Sequence, residues 1–235
     1  YMGTELKFSP FVNTHFLQSL IFLGTLIFIY LNTEKVKPET LEKESLVIKH
    51  FARNIVYVLI LAVIFFSVQL EITHYWNMEY MQSLEFARSS DHFTGRGNPN
   101  IWAFAMVTKI LYSLVFLSVF AFIYRKRQRT EEFNILFSLA FGLGIFAFLT
   151  IGLYKLNFLH LQYLWAGEQE IFYHGFGLVA IRYFSFAVLG VAVYRMLQYI
   201  KTQLPGKSMQ IISEYLFHTV IVWCASAELV NWMHT

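Results

Sequence analysis

Residues 54–70 read NIVYVLILAVIFFSVQL, a run without a charged side chain. An α-helix rises about 1.5 Å per residue, so this run covers roughly 25 Å, close to the ~30 Å hydrocarbon core of a bilayer. A strand of a membrane barrel would alternate polar and apolar residues, and residues 59–68 show no such alternation. Lipid offers the backbone no hydrogen-bond partner, whereas a helix satisfies its own groups. The run therefore predicts a transmembrane helix.

Five further apolar runs occur along the 235 residues. The six runs lie at about 15–31, 54–70, 101–124, 133–153, 171–197 and 211–232. Of all residues 57% are hydrophobic and only 14% are charged, whereas a soluble domain carries about 25% charged residues. The single cysteine, Cys224, excludes an internal disulfide. We predict an all-α, polytopic transmembrane helix bundle of about six spans, forming one transmembrane domain over residues 1–235.

The segments between the runs carry different signals. Residues 32–53 are rich in charge, and Pro38 within them suits a helix start, so we expect this stretch to extend the second helix into water. Residues 89–100 hold two glycines and a proline, which predicts a loop. In the fourth run, Gly142 and Gly144 predict a close contact with a neighbouring helix or a kink rather than a ligand site.

The distribution of Lys and Arg predicts the orientation. The first, third and fifth connections are rich in basic residues, and the second and fourth are poor in them. Basic residues accumulate on the cytoplasmic side, so we place those three connections there and both chain ends outside. The expected location is a bacterial cytoplasmic (inner) membrane. Because the sequence begins at Tyr1 and stops directly after an apolar run, we also expect it to be a portion of a longer protein.

Five ionisable residues within the runs are candidates for a functional polar interior, because such groups are costly at membrane depth. They are Lys109, Arg182, Glu214, His218 and Glu228. Lys109 lies eight residues into the third run, and Arg182 lies about eleven residues into the fifth, near the midplane. Glu214, His218 and Glu228 fall within about 80° of arc on one helix. This stripe is expected to face the bundle.

The first hypothesis for these residues is a buried network that joins Arg182 to His218 and Glu214, with Lys109 near Glu228. Such a network would relay protons or bind an anionic or polar substrate. The alternative is that the same groups form structural pairs that fix the register of the helices, since a buried charge needs a partner in any case. Lys109 has a further alternative, because its long side chain could reach the outer surface.

A second set of candidates lies at the predicted outer surface. The second connection offers Glu71 and His74, and the fourth offers His160 and His174. Histidine and carboxylate groups could serve a metal-assisted hydrolase or a sugar-binding rim, or form a solvated polar rim. Their spacing matches no metal-ligand signature, so we predict no metal site. We expect no cofactor, because phosphate-loop and nucleophile-elbow motifs are absent from the sequence and His218 is the one histidine clearly deep in a run. We also expect no nucleic-acid binding, because the basic cluster at residues 125–129 is explained by the membrane topology.

The last run carries a family resemblance. Residues 214–223 read EYLFHTVIVW, and residues 226–232 read SAELVNW. Over residues 208–235 the chain resembles a bacterial membrane-protein family called domain of unknown function 2339, in which an apolar helix ends in a similar Ser-x-Glu-Leu-x-x-Trp stretch. The resemblance implies a long polytopic protein in which more membrane helices follow. It implies no activity that can be transferred to residues of this chain.

Three functions are consistent with the sequence. In the first, the chain is an integral membrane protein of the bacterial cell envelope that binds or moves a lipid-linked or polar substrate through a polar bundle interior. Alternatively, it is a non-catalytic subunit or scaffold of a larger membrane complex. The third alternative is a membrane-embedded enzyme that acts at the outer surface. The expected partners are membrane lipids and either a second membrane protein or further copies of the chain.

Overall fold

The computed structural model describes residues 13–35, 43–89, 97–124, 131–164, 175–204 and 206–233. Every regular element in these ranges is helical. The helices are α1 (Thr14–Lys35), α2 (Lys43–Ser89), α3 (Pro99–Tyr124), α4 (Glu131–Ala147), α5 (Leu153–Leu164), α6 (Gly177–Gln203) and α7 (Lys207–Met233), with a π-helical turn (Phe148–Gly152) that joins α4 to α5.

Six helical segments within the described ranges are long and apolar enough to cross a membrane, because α4, the π turn and α5 form one continuous segment. The predicted all-α, six-span architecture is thereby confirmed, and the chain is an integral, multi-pass membrane protein.

Two helices are longer than the apolar runs predicted. The charged segment that precedes the second run is helical from Lys43, as expected; Pro38 lies outside the described residues. The same helix continues to Ser89, although residues 71–89 were expected to belong to a connection. This stretch contains no Gly or Pro, so nothing interrupts the helix after it leaves the apolar run. For the same reason the fourth segment continues to Leu164.

The chain divides into two compact units, Tyr1–Met78 and Glu79–Thr235, with the boundary inside α2. In the first unit, Tyr30 of α1 and Tyr57 of α2 place their ring centroids 6.3 Å apart. Near the start of α1, the Asn13 side-chain amide donates to Glu71 Oε1 over 2.7 Å. These contacts hold α1 against α2. The expectation of a single domain stays a prediction.

The second unit is built around α3 and α6, which pack extensively against each other. One aromatic cluster joins α3, α4 and α6: the ring of Phe137 lies 4.7 Å from that of Phe120 and 4.8 Å from that of Tyr199. The Tyr199 hydroxyl donates to Asn134 Oδ1 over 2.8 Å, which satisfies two buried polar groups. Toward the opposite ends of α3 and α6, Ala103 and Leu178 pack with Leu159 of α5.

The glycine pair in α4 behaves as expected at one of its two positions. A Cβ atom on Gly144 would lie 3.3 Å from Leu117 Cδ1 and 3.5 Å from Leu114 Cδ2. The absence of a side chain at Gly144 therefore allows α3 and α4 to approach closely. At Gly142 such an atom would lie at an ordinary distance of 3.8 Å from Met196 Cε.

Candidate functional site

Arg182 is the most deeply buried charged residue of α6, with 2% of its side chain exposed. Its Nε donates to Glu228 Oε1 of α7 over 2.6 Å, and its Nη1 donates to Asn157 Oδ1 of α5 over 3.0 Å. The guanidinium carbon also lies 5.8 Å from the ring centroid of Phe186. One arginine thus joins three helices through one charged and one neutral hydrogen bond.

A second interhelical hydrogen bond lies next to the Arg182 contacts and joins α5 to α7. Asn231 Nδ2 of α7 and His160 Nδ1 of α5 are 2.6 Å apart. His160 follows Asn157 by three residues, as Asn231 follows Glu228, so each helix advances about 4.5 Å between the two contacts. The equal offsets show that α5 and α7 run in the same direction here. We call Asn157, His160, Arg182, Glu228 and Asn231 the polar ladder.

The ladder lies toward one end of the helices that it joins. Arg182 follows the start of α6 by five residues, or about 8 Å, and Glu228 precedes the last residue of α7 by the same number. The sequence placed Arg182 near the midplane because the apolar run was taken to begin at residue 171. In the structure α6 begins at Gly177, which moves Arg182 toward the surface.

The predicted pairing of Arg182 with Glu214 is wrong. Glu214 precedes Glu228 by fourteen residues, or about 21 Å along α7, so one arginine cannot reach both carboxylates. The acidic partner of Arg182 is Glu228. The proposed approach of Lys109 to Glu228 stays a prediction; Lys109 is half-buried, ten residues into α3.

Only part of the predicted polar stripe of α7 (Glu214, His218 and Glu228) faces the bundle. The packed face of α7 is marked by three buried residues, Ser213, Val220 and Asn231. At 100° per residue Glu228 lies about 65° from the centre of that face, whereas His218 lies about 145° away. Glu228 therefore reaches the ladder, and Glu214 and His218 are exposed.

A groove of about 660 Å³ runs along α7. Its lining on α7 recurs every three or four residues from Tyr215 to Val230, about 22 Å of helix. Asn157 of α5, a member of the ladder, completes it. The lining residues are Asn157, Tyr215, His218, Thr219, Val222, Trp223, Ser226, Ala227 and Val230. This α7 groove is mainly apolar, with an amide, an imidazole and hydroxyl groups at intervals.

The four candidates for the outer surface have different surroundings. Glu71 is buried and accepts the hydrogen bond from Asn13. His74 is exposed on α2. His160 lies within α5 and belongs to the polar ladder. His174 lies outside the described residues. Among the residues that the structure describes, no three His, Cys, Asp or Glu side chains form a group suited to a metal ion.

Sequence reasoning missed the asparagines of the ladder. Asn157 and Asn231 both lie in or beside apolar runs, where an amide needs a hydrogen-bond partner as much as a charge does. An inspection of neutral polar residues in the runs and in the few residues beside them would have found both asparagines. Their pairing, across 25 and 71 residues of sequence, could not have been read from spacing.

No family model, curated protein or solved structure matches the chain. The fold defines the class, a polytopic α-helical membrane protein, and the resemblance to domain of unknown function 2339 stays a prediction.

Proposed function

We propose that the protein binds an amphipathic membrane molecule, a lipid or lipid-linked polar compound, in the α7 groove. The observation that supports this proposal is the α7 groove itself. The groove is mainly apolar, runs along a helix long enough to span a membrane, and has polar groups at intervals along its length. Binding sites for small molecules combine mainly apolar walls with a few placed polar groups. A molecule drawn from the bilayer would match both features.

The positions of the polar groups support an occupant with a polar portion. His218 and Thr219 lie near the middle of α7, and Ser226 lies two turns further on in the same groove. The Thr219 hydroxyl already donates to the Tyr215 carbonyl over 2.8 Å, so it offers the occupant acceptor capacity. An exposed imidazole at this depth is costly in lipid tails, and a polar ligand would offset that cost.

The role of the polar ladder in this proposal is to hold the groove in shape. Arg182 is neutralised by Glu228 and bonded to Asn157, so its charge is already compensated inside the protein. This supports binding at the groove rather than passage of a substrate past Arg182. Asn157 links the two, because it accepts from Arg182 and lines the groove.

The test compares two tryptophan substitutions on α7. Val222 lines the groove and Leu229 does not, and both are 64% exposed. Wild-type protein, Val222→Trp and Leu229→Trp would be purified in mild detergent, and co-purifying lipids identified by mass spectrometry. We expect Val222→Trp to lose a lipid that wild type and Leu229→Trp retain. Equal lipid content in all three proteins would contradict the proposal.

A second function, that of a companion subunit in a larger membrane complex, is favoured by Glu214. Its side chain is exposed about 10 Å into α7 and is not part of the groove lining. A carboxylate in that position calls for a covering polar neighbour. A stoichiometric partner that co-purifies with wild type and is released by Glu214→Gln would support this function; a protein that purifies alone would exclude it. The outer-surface enzyme stays a prediction.

We further propose the orientation derived from the basic residues, with both ends of this chain on the outer side of a bacterial inner membrane. Cysteines introduced at Ser89 and Lys201, two exposed helix-end positions, would be labelled from opposite sides in a Cys224→Ala background. Labelling of both from one side would exclude this orientation.

A further inference from the structure

A second arginine of α6 has very different partners from Arg182. Arg195 is half-buried, and its guanidinium carbon lies 4.8 Å from the ring centroid of Phe122 on α3. Its Nη1 donates to Gln198 Oε1 over 3.4 Å, a long hydrogen bond. An aromatic face and a neutral amide attract a cation, but neither carries the negative charge that Glu228 supplies to Arg182.

A groove between α3 and α6 begins at this arginine. Its volume is about 390 Å³, and the side chains that line it are mainly aliphatic and aromatic. On α3 it is lined by Val115, Val119 and Phe122, and on α6 by Val188 and Val191, with Arg195 at one end. We call it the α3–α6 groove.

The polarity of this groove changes along the axes of α3 and α6. Phe122 lies two residues before the end of α3, about 3 Å from it, and the charge of Arg195 lies beside its ring. Val115 lies seven residues deeper, or about 10 Å further toward the middle of the helix. The cation therefore lies at the end of the groove nearer the C-terminal ends of α3 and α6, and the apolar strip extends from it toward the middle of the helices.

We infer that the α3–α6 groove binds an anionic phospholipid. The lipid phosphate would accept hydrogen bonds from Arg195, whose planar group presents five donors, and one acyl chain would lie along the valines. Basic pockets between transmembrane helices bind anionic headgroups in this way. A free phosphate ion would use the arginine but leave the apolar strip without an occupant, so the groove as a whole fits the lipid.

This site is independent of the proposed function. It lies on the α3 side of α6, thirteen residues from Arg182, or about 20 Å along the helix, and shares no lining residue with the α7 groove. Loss of one ligand is therefore not expected to remove the other.

The experiment titrates the delipidated 235-residue chain in detergent with phosphatidylglycerol or phosphatidylcholine of identical acyl chains, and counts bound lipids by native mass spectrometry. We expect wild type to prefer phosphatidylglycerol. Arg195→Gln is expected to lower that affinity about fivefold, the effect of one basic residue on anionic lipid binding, and Arg195→Lys to retain most of it. Val191→Trp, which fills the groove without a change of charge, is expected to weaken binding as well.

The matched control is Lys201→Gln, which removes an exposed cation from the same end of α6 and is expected to leave binding unchanged. Any one of three results would overturn the inference. These are no preference for phosphatidylglycerol in wild type, unchanged binding in Arg195→Gln or Val191→Trp, and an equal loss in Arg195→Lys or Lys201→Gln.

Discussion

The two arginines of α6 differ in what compensates their charge. Arg182 is 2% exposed and bonded to a carboxylate and an amide from two other helices. Arg195 is half-buried beside an aromatic ring and opens into a groove. An arginine whose charge is compensated by a carboxylate inside the protein holds helices together. An arginine that contacts only neutral groups retains the capacity to bind an anion. The structural role of Arg182 and the binding role proposed for Arg195 are therefore distinguished by the groups that contact each arginine and not by depth in the membrane.

The largest expected effect in this comparison is the loss of Glu228. Glu228→Leu leaves the Arg182 charge buried without its anion, which is expected to cost about 3–5 kcal/mol of unfolding free energy. Glu214→Leu, the same change at an exposed position of the same helix, is expected to cost under about 0.5 kcal/mol. Denaturation in detergent monitored by circular dichroism would measure both. Equal losses would show that the pairing with Arg182 does not hold α7.

A pair of substitutions sharpens the same point. When Arg182→Leu is added to Glu228→Leu, both charges are removed together, and part of the lost stability is expected to return. The coupling between the two substitutions is measured by a double-mutant cycle on the same denaturation curves. Additive losses would indicate that the two side chains do not interact.

The loss of the neutral partner is expected to have a smaller effect. Asn157→Leu removes one acceptor from Arg182 but leaves the ion pair, and is expected to cost about 1–3 kcal/mol. Tyr154→Leu, three residues earlier and 67% exposed, serves as the control and is expected to cost much less. The contribution of Asn157 would be refuted by thermal unfolding curves that superimpose for the two variants.

The second contact of the ladder is neutral, and we expect its effect to be smaller again. His160→Leu is expected to cost about 1 kcal/mol, because hydrogen bonds between membrane helices are individually weak. The buried Asn231 amide then loses its contact. A loss as large as that of Glu228→Leu would mean that the charged contact is not the main link between α5, α6 and α7.

Apart from the control variants, the smallest effect on stability is expected at Arg195. Arg195→Gln removes a contact with the Phe122 ring, worth under about 1 kcal/mol, in lipid-free detergent. A loss of several kcal/mol, measured by the same unfolding assay, would place Arg195 with Arg182 as a structural cation and remove the basis of the comparison.

The amino-acid sequence was sufficient to predict the six membrane spans but not the residues at which their helices end. Runs such as residues 54–70 identify membrane helices because hydrocarbon thickness sets their length. The water-facing continuation of α2 to Ser89 has no such constraint, and only the absence of Gly and Pro indicated it.

The candidate site was predictable only in part. Arg182 and Glu228 were both selected because charges are costly in a membrane, yet Arg182 was assigned to Glu214. Helical periodicity places Glu214, His218 and Glu228 on one arc, but it does not show which edge of the arc is packed. That edge is set by the tertiary packing that buries Ser213, Val220 and Asn231, which the local sequence does not encode.

The most direct test is the melting temperature of wild type, Arg182→Leu and Arg195→Gln in detergent, with and without phosphatidylglycerol. We predict that Arg182→Leu melts well below wild type and is still stabilised by the lipid, because its α3–α6 groove is intact. Arg195→Gln is predicted to melt near wild type without lipid and to lose most of the lipid-induced stabilisation. Equal destabilisation of both variants, or an undiminished response of Arg195→Gln to the lipid, would contradict the division of roles between the two arginines.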